Sequence, residues 1–243
     1  MGQLSDRVAI VTGASAGIGR GIATTFAREG AKVVLAARNR EELDVLAREI
    51  QAAGGAALAV PTDVTVEEQV LNLFQQTMSA YSRVDILVNN AGVAVGRPTD
   101  ELTLEQWRRV IDCNVTGAFL CSREAFKIMK RQRGGRILNI GSVSAKVPRQ
   151  HSAAYTTSKF ALEGLTRSLA VDGREHGVTA SVLQPGNVLT PLWRGREEVV
   201  RKEGAMSPED LARIALCMVT LPADLNLYEA IVLPISMPML GRG

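Results

Sequence analysis

Short apolar runs rich in β-branched residues recur at positions 8–11, 33–36, 57–60, 86–88, 137–140, 178–183 and 230–234, each of a length suited to a strand. Between them, apolar positions return every three to four residues over 18–29, 40–53, 66–80, 104–131, 153–176 and 208–221. That is the period of a helix with one buried face. Strands and helices alternating at this spacing predict βαβ units, whose right-handed crossovers build a parallel sheet. The expectation is an α/β fold: one doubly wound, seven-stranded parallel sheet with helices on both faces. In such sheets ligands lie beyond the carboxyl ends of the strands, so residues just after strands carry the candidate chemistry.

Composition narrows the class. Hydrophobic residues make up 46% of the 243 positions and charged residues 22%, an ordinary globular balance, and no linker or low-complexity stretch divides the chain. A single domain over 1–243 is expected. The net charge of +3 is spread among interspersed acids, which argues against nucleic acid as a partner. The densest basic stretch, around Lys130, Arg131 and Arg133, falls where the helix over 104–131 should end and can complement its dipole. Cys113, Cys121 and Cys217 have neither the count nor the spacing of a disulfide framework or a zinc site, so no metal is expected and a reducing cytoplasm fits. No apolar run approaches the roughly 18 residues that span a bilayer, and no membrane association is expected. Gly2 lacks the Ser or Thr that N-myristoylation wants, since Asp6 stands there.

The first predicted strand runs directly into Thr12-Gly13-Ala14-Ser15-Ala16-Gly17-Ile18-Gly19, and a helix follows. Glycines there allow a tight turn and close approach to a pyrophosphate, whose charge the helix N-terminus stabilises. The spacing is GxxxGxG, not GxGxxG. An acid about 20 positions further on would bind both ribose hydroxyls of NAD. This chain has Ala36, Ala37 and Arg38 instead. With no carboxylate to repel a 2′-phosphate and a guanidinium able to grip one, NADP(H) is favoured over NAD(H). The alternative is that Arg38 merely lies exposed at the start of a helix. Asp63, after the third strand, could accept a hydrogen bond from an adenine amino group or cap the next helix. Asn89-Asn90-Ala91-Gly92, after the fourth, combines amides that can tie strands with small residues that admit a cofactor.

Tyr155 and Lys159 lie four apart on one helix and project from the same face, while Ser142 ends the strand before them. A nearby ammonium should lower the pKa of the phenol by favouring the phenolate. Ser142 can donate a hydrogen bond to a carbonyl oxygen as charge builds there. A Tyr and a Lys at this spacing are commonly a packed ring and a solvated cation, and the pair gains weight from the glycine loop and the NNAG turn before it.

In these motifs the chain resembles the short-chain dehydrogenase/reductase family over almost its full length. TGxxxGxG at 12–19, NNAG at 89–92, Asn114, Ser142, Tyr155-x-x-x-Lys159 and Pro185-Gly186 with Thr190 occur in family order. The resemblance implies a Rossmann-type, NAD(P)-dependent oxidoreductase with a catalytic tetrad of Asn114, Ser142, Tyr155 and Lys159. Asn114 would help to hold a water, and Lys159 would also bond the nicotinamide ribose. By the same carry-over Gly13, Ser15, Ile18, Gly19, Asn90, Ala91 and Gly92 line the cofactor, with Tyr155 and Lys159. Asp63 and Val64 meet the adenine, and Pro185, Gly186, Val188 and Thr190 bound the carboxamide. Family members are commonly homotetramers or homodimers.

The end of the chain departs from many relatives. Where 3-oxoacyl carrier-protein reductases have a Gly-Gly segment after the last strand, this chain has Ile235-Ser236-Met237-Pro238. Small ketones, ketoacids or hydroxy acids are therefore expected ahead of an acyl carrier protein. The substrate loop is placed at about 187–207, with Val93, Ala94, Ser144, Arg149, His151, Asn187, Leu192 and Trp193 as further candidates. Arg149 or Arg194 could hold a substrate carboxylate or be simply solvated, and His151 reads as a hydrogen-bonded loop residue rather than a second base. A non-catalytic NADP(H)-binding sensor would keep the glycine loop and usually lose part of the tetrad.

Overall fold

The structure, a computed structural model, describes residues 2–190 and 197–239. Its first half comprises β1 (Val8–Thr12), α1 (Gly17–Arg28), β2 (Lys32–Ala37), α2 (Arg40–Ala52), β3 (Ala56–Pro61), α3 (Glu67–Tyr81) and β4 (Ile86–Asn89). The second comprises α4 (Leu104–Ile111), α5 (Gly117–Gln132), β5 (Gly135–Ile140), α6 (Ala153–Gly173), β6 (Val178–Pro185), α7 (Glu197–Glu203), α8 (Pro208–Thr220) and β7 (Glu229–Val232). The strands form one sheet in the order β3-β2-β1-β4-β5-β6-β7. Every pairing is parallel, as the alternation of elements predicts.

Two apolar layers cover the sheet. One joins Ile22 and Phe26 of α1, Leu43 and Leu46 of α2 and Leu211 of α8 to Ala9, Val11 and Leu35. The other joins Leu73 of α3 and Cys121 and Met129 of α5 to Val8, Ile10, Val34 and Leu87. Alternate residues of each strand thus point to opposite layers, and β1 and β4 are buried at every position. Helix starts are chemically marked. Thr103 and Gln106 form a capping box on α4, Ser207 and Asp210 form one on α8, and the Asn39 side chain accepts from Glu42 N at 3.3 Å on α2. Among the described residues no helix is long and apolar enough to cross a membrane.

The long helix expected over 104–131 is broken by one wide π turn at Asp112–Thr116 between α4 and α5. The apolar periodicity over 104–131 gave no sign of this turn, which inserts only one residue into an otherwise continuous helical run. The turn contains Asn114 and brings Gly117 so close to Val64 that an added Cβ would lie 2.6 Å from Val64 Cγ2. The last strand starts one residue before its expected position and stops at Val232, short of Pro234, which cannot donate to a ladder. Helix α7 was not anticipated.

Leu87 is fully buried on β4, between Ile10 and Ile137 on the neighbouring strands. Leu87→Ala should lower stability by about 2–5 kcal/mol, read as a lower urea midpoint at unchanged slope.

Candidate active site

The chain leaves β1 toward β2 on one side, while β4 lies on the other, so the carboxyl ends of β1 and β4 diverge and leave a crevice. A clasp crosses it. Thr12 Oγ1 accepts from Asn90 N at 3.0 Å and Ala91 N at 3.1 Å and donates to Val88 O at 3.2 Å. In return Asn90 Nδ2 donates to Thr12 O at 3.0 Å and Gly13 O at 3.2 Å. Gly13 takes a positive φ of 64°, and a Cβ there would lie 2.8 Å from Asn90 Nδ2, so only glycine suits the position.

Beyond the clasp lies a cleft of about 1000 Å³. Of the residues expected at a cofactor, Gly13, Ser15, Ile18, Asn90, Ala91 and Gly92 line one part of it. Arg38, Asp63 and Val64 line another, and Pro185, Gly186, Val188 and Thr190 line the end nearest Tyr155 and Lys159. Gly19 does not line the cleft. It packs under Gly13 O and Asn90 Nδ2, where any side chain would collide, and so lets α1 approach β1.

The cleft suits a dinucleotide. Helix α1 begins at Ala16 with no side-chain cap and no acid in its first turn, which leaves its leading N–H groups and positive end facing the cleft. Arg38 is exposed and lines the cleft next to Asn39, the residue that caps α2, so it is both surface and wall. Asp63 does not cap α3. Its Oδ1 accepts from Thr65 N at 3.0 Å and Thr65 Oγ1 at 2.7 Å, closing a turn that holds the carboxylate at the wall.

Ser142, Tyr155 and Lys159 meet at the far end of the cleft. Ser142 Oγ accepts from Ser144 N at 3.1 Å. Lys159 Nζ donates to Ile140 O at 2.8 Å and stands 5.5 Å from the centre of the Tyr155 ring. Asn114 does not line the cleft. It stands behind the wall, donating to Val93 O at 3.0 Å and Ser158 Oγ at 2.9 Å and accepting from Val93 N at 2.8 Å. Ser158 in turn donates to Tyr155 O at 2.7 Å, so the π turn is tied to the helix that carries the tyrosine.

The expected lowering of the Tyr155 pKa is not found. Desolvation pushes it above the usual phenol value and the Ser142 hydrogen bond only offsets part of this. Desolvation also brings Lys159 from 10.5 down to about 8, because no carboxylate accompanies it into the interior.

At the substrate end, Val93, Ser144, Arg149 and Asn187 line the cleft, while Ala94 and His151 do not. Arg149, partly exposed at the cleft, is engaged by neighbouring side chains. Its Nη2 donates to Asn187 Oδ1 at 2.9 Å and Glu203 Oε2 at 2.6 Å. His151 takes a left-handed φ of 57°, and its carbonyl accepts from Arg97 N at 3.0 Å. Leu192, Trp193 and Arg194 lie outside the described residues. Contributors that sequence reasoning gave no role include Thr12 as a clasp, Ser158 and the cleft-lining Met237. Thr12 and Ser158 had a signal, one opening the glycine loop and the other lying three residues past Tyr155, whereas Met237 had none.

The sequence matches the short chain dehydrogenase family over residues 7–200. It is 35% identical to an uncharacterized oxidoreductase of Staphylococcus saprophyticus subsp. saprophyticus, over 97% of this chain and all of the other. A metagenomic short-chain oxidoreductase solved in complex with NADP superposes with a TM-score of 0.84 at 35% identity, covering 95% of this chain and 97% of that one. The 3-ketoacyl-(acyl-carrier-protein) reductase of Brucella melitensis, solved with NADH, gives 0.85 at 31% identity, covering 94% and 97%. With the sheet order, the cleft and these matches in agreement, the chain belongs to the short-chain dehydrogenases, oxidoreductases that interconvert carbonyl and CH–OH groups.

Proposed function

We propose that this protein is an NADP(H)-dependent reductase of small carbonyl substrates, with Ser142 and Tyr155 acting on the substrate oxygen and Lys159 beneath them. The observation that carries this reading is that Ser142, Tyr155 and Lys159 line the same cleft as the glycine loop. In this reading Gly13, Ser15, Ile18, Asn90, Ala91 and Gly92, which line the cleft, would hold the diphosphate and ribose. Asp63 and Val64 would take the adenine, and Pro185, Gly186, Val188 and Thr190 the carboxamide. Arg38, facing the cleft with Ala37 where NAD-binding chains place an acid, would take a 2′-phosphate. Bound NADPH supplies the hydride.

The protein groups do the rest. Ser142 donates to the carbonyl oxygen as charge develops there. Tyr155, held protonated at neutral pH by its raised pKa, delivers the proton that completes the alcohol. Asn114 acts as a positioning residue, because it meets Ser158 and Val93 rather than the cleft. The substrate loop, about 187–207, is pinned where Leu189 N donates to Met206 O at 2.9 Å and Met206 N to Asn187 O at 2.9 Å. The charged segment 191–205 is short, which favours compact substrates. A single domain working in the cytoplasm as a homotetramer or homodimer completes the reading.

The Brucella relative keeps a second reading in view, reduction of a 3-oxoacyl carrier-protein thioester. A panel of ketones, ketoacids and an acetoacetyl thioester, assayed with NADPH and NADH, decides between them. Turnover of small ketones with NADPH is expected, and Tyr155→Phe should cost about a hundredfold or more. Preference for the thioester would move the assignment to the second reading; NADPH binding without turnover of any substrate would reduce the protein to a sensor.

Ala37→Asp combined with Arg38→Ser should turn the ratio of kcat/KM for NADPH over NADH from above one to below one. An unchanged ratio removes Arg38 from the cofactor site.

Lys159 makes stability depend on pH. Between about 8 and 10.5 the unfolded chain carries more protons at this position than the native one, so this residue's penalty shrinks as pH rises. Lys159→Met should therefore be more stable than the parent in ligand-free urea titrations near pH 7.5, with the margin narrowing toward about pH 9.5. A constant margin would show that Lys159 is not depressed.

A further inference from the structure

Directly behind the reaction centre lies a cluster of charged and polar side chains that the chemistry above does not use. Lys146 closes the short 3₁₀ turn Val143–Ala145 that begins at Ser142, with Lys146 N donating to Val143 O at 2.8 Å. Its Nζ bridges two carboxylates, Glu163 Oε2 and Glu229 Oε1, each at 2.9 Å. Glu163 is only 7% exposed and lies on α6, one helical turn beyond Lys159 and two beyond Tyr155. Gln184 Nε2 completes the cluster, donating to Glu229 Oε1 at 2.6 Å and Glu163 Oε2 at 3.3 Å. Gln184 is fully buried on β6, immediately before Pro185-Gly186.

These four side chains come from the three walls of the reaction centre and the strand behind them. Lys146 belongs to the turn of Ser142, Glu163 to the helix of Tyr155 and Lys159, Gln184 to the strand that delivers Pro185-Gly186, and Glu229 to β7. We propose that Lys146 is a positioning residue: its bridge to Glu163 and Glu229 sets the Ser142 turn against α6 and so holds the Ser142 and Tyr155 hydroxyls in register. The bridge is mostly shielded, with side-chain exposures of 26% for Lys146, 9% for Glu163 and 24% for Glu229. Solvent screening is weak there, and each partner is also hydrogen-bonded, so the geometry of the network is well defined. Without Lys146, the Ser142 turn loses its tie to Glu163 of α6 and Glu229 of β7, the two carboxylates that shared its ammonium repel each other, and the turn and the helix are free to shift relative to one another. Both carry catalytic groups.

The inference rests on the reductase reading, which wild-type turnover tests by itself. The experiment compares Lys146→Met, Lys146→Arg and a triple variant, Lys146→Met with Glu163→Gln and Glu229→Gln, which removes the repulsion along with the bridge. The readouts are kcat, the NADPH dissociation constant, the urea midpoint and the primary isotope effect with deuterated NADPH. Lys146→Met and the triple variant should each lose about tenfold to a hundredfold in kcat, as expected for misaligned reacting groups. Their NADPH affinity should stay within about twofold of the parent, and the isotope effect should rise because the chemical step becomes limiting. Lys146→Arg should recover most of kcat. A loss of kcat no larger than the loss of folded protein, an unchanged isotope effect, or a triple variant as fast as the parent would each show that the cluster serves stability alone. If the parent turns over no substrate, the reductase reading has failed, independently of the variants.

Discussion

The arrangement depends on the clasp between Thr12 and Asn90. A parallel sheet whose strand order reverses between β1 and β4 must open there, because the connections leave in opposite directions. The opening makes a cleft, but it also leaves the backbone polar groups of two strand ends without ladder partners. Thr12 and Asn90 satisfy those groups with side-chain and backbone hydrogen bonds to each other, and so keep the crevice open at a set width. Gly13 and Gly19 follow from the same constraint. The loop after β1 must pass under Asn90, and α1 must come close beneath it, so neither position has room for a side chain.

A second constraint fixes the helix that carries the chemistry. Asn89 Nδ2 donates to both Ser122 Oγ and Asn139 Oδ1 at 2.8 Å, Asn139 Nδ2 donates to Thr166 Oγ1 at 2.8 Å, and Thr166 donates to Leu162 O at 2.7 Å. This buried chain runs from β4 through α5 and β5 into the middle of α6. Apolar packing would let α6 slide along the sheet by fractions of a turn at small cost, whereas a directional chain of hydrogen bonds in a low-dielectric interior does not. Tyr155 and Lys159 inherit their position from it, as Ser158 and Asn114 secure the near end of the same helix.

Features of short sequence range were legible. Strands with β-branched runs, the glycine turn, the Tyr155–Lys159 spacing and the small residues at 89–92 each announce themselves within a few positions. What escaped depends on partners far away in the chain. Arg149 meets Glu203 across 54 positions, Gln184 meets Glu229 across 45, and Lys146 meets Glu163 across the whole loop before α6. No local pattern marks such pairs. The π turn was hidden for a different reason, since it adds only one residue inside an otherwise continuous helical run. The Tyr155 pKa was misjudged because charge proximity was considered without burial, and burial dominates in this cleft.

The pairing of Glu163 also explains why Lys159 can be chemically labile. Lys159 and Glu163 stand four residues apart on α6, the spacing at which a lysine and a glutamate on one helix face each other. A direct pair would supply a counter-charge and hold the ammonium firmly protonated. Here both oxygens of Glu163 are taken, one by Arg167 and the other by Lys146 and Gln184. Glu163 itself stays ionised, its pKa held below the usual value by the hydrogen bond from Lys146 against the opposing cost of burial. Lys159 is left with the neutral carbonyl of Ile140 and pays its desolvation uncompensated, which brings it to about 8. The fold thus gives the Glu163 carboxylate, one turn from Lys159, to Lys146 and Arg167 instead. Lys146 gives the turn of Ser142 a fixed anchor, and Lys159 remains within reach of neutral pH, where a proton can be both held and released.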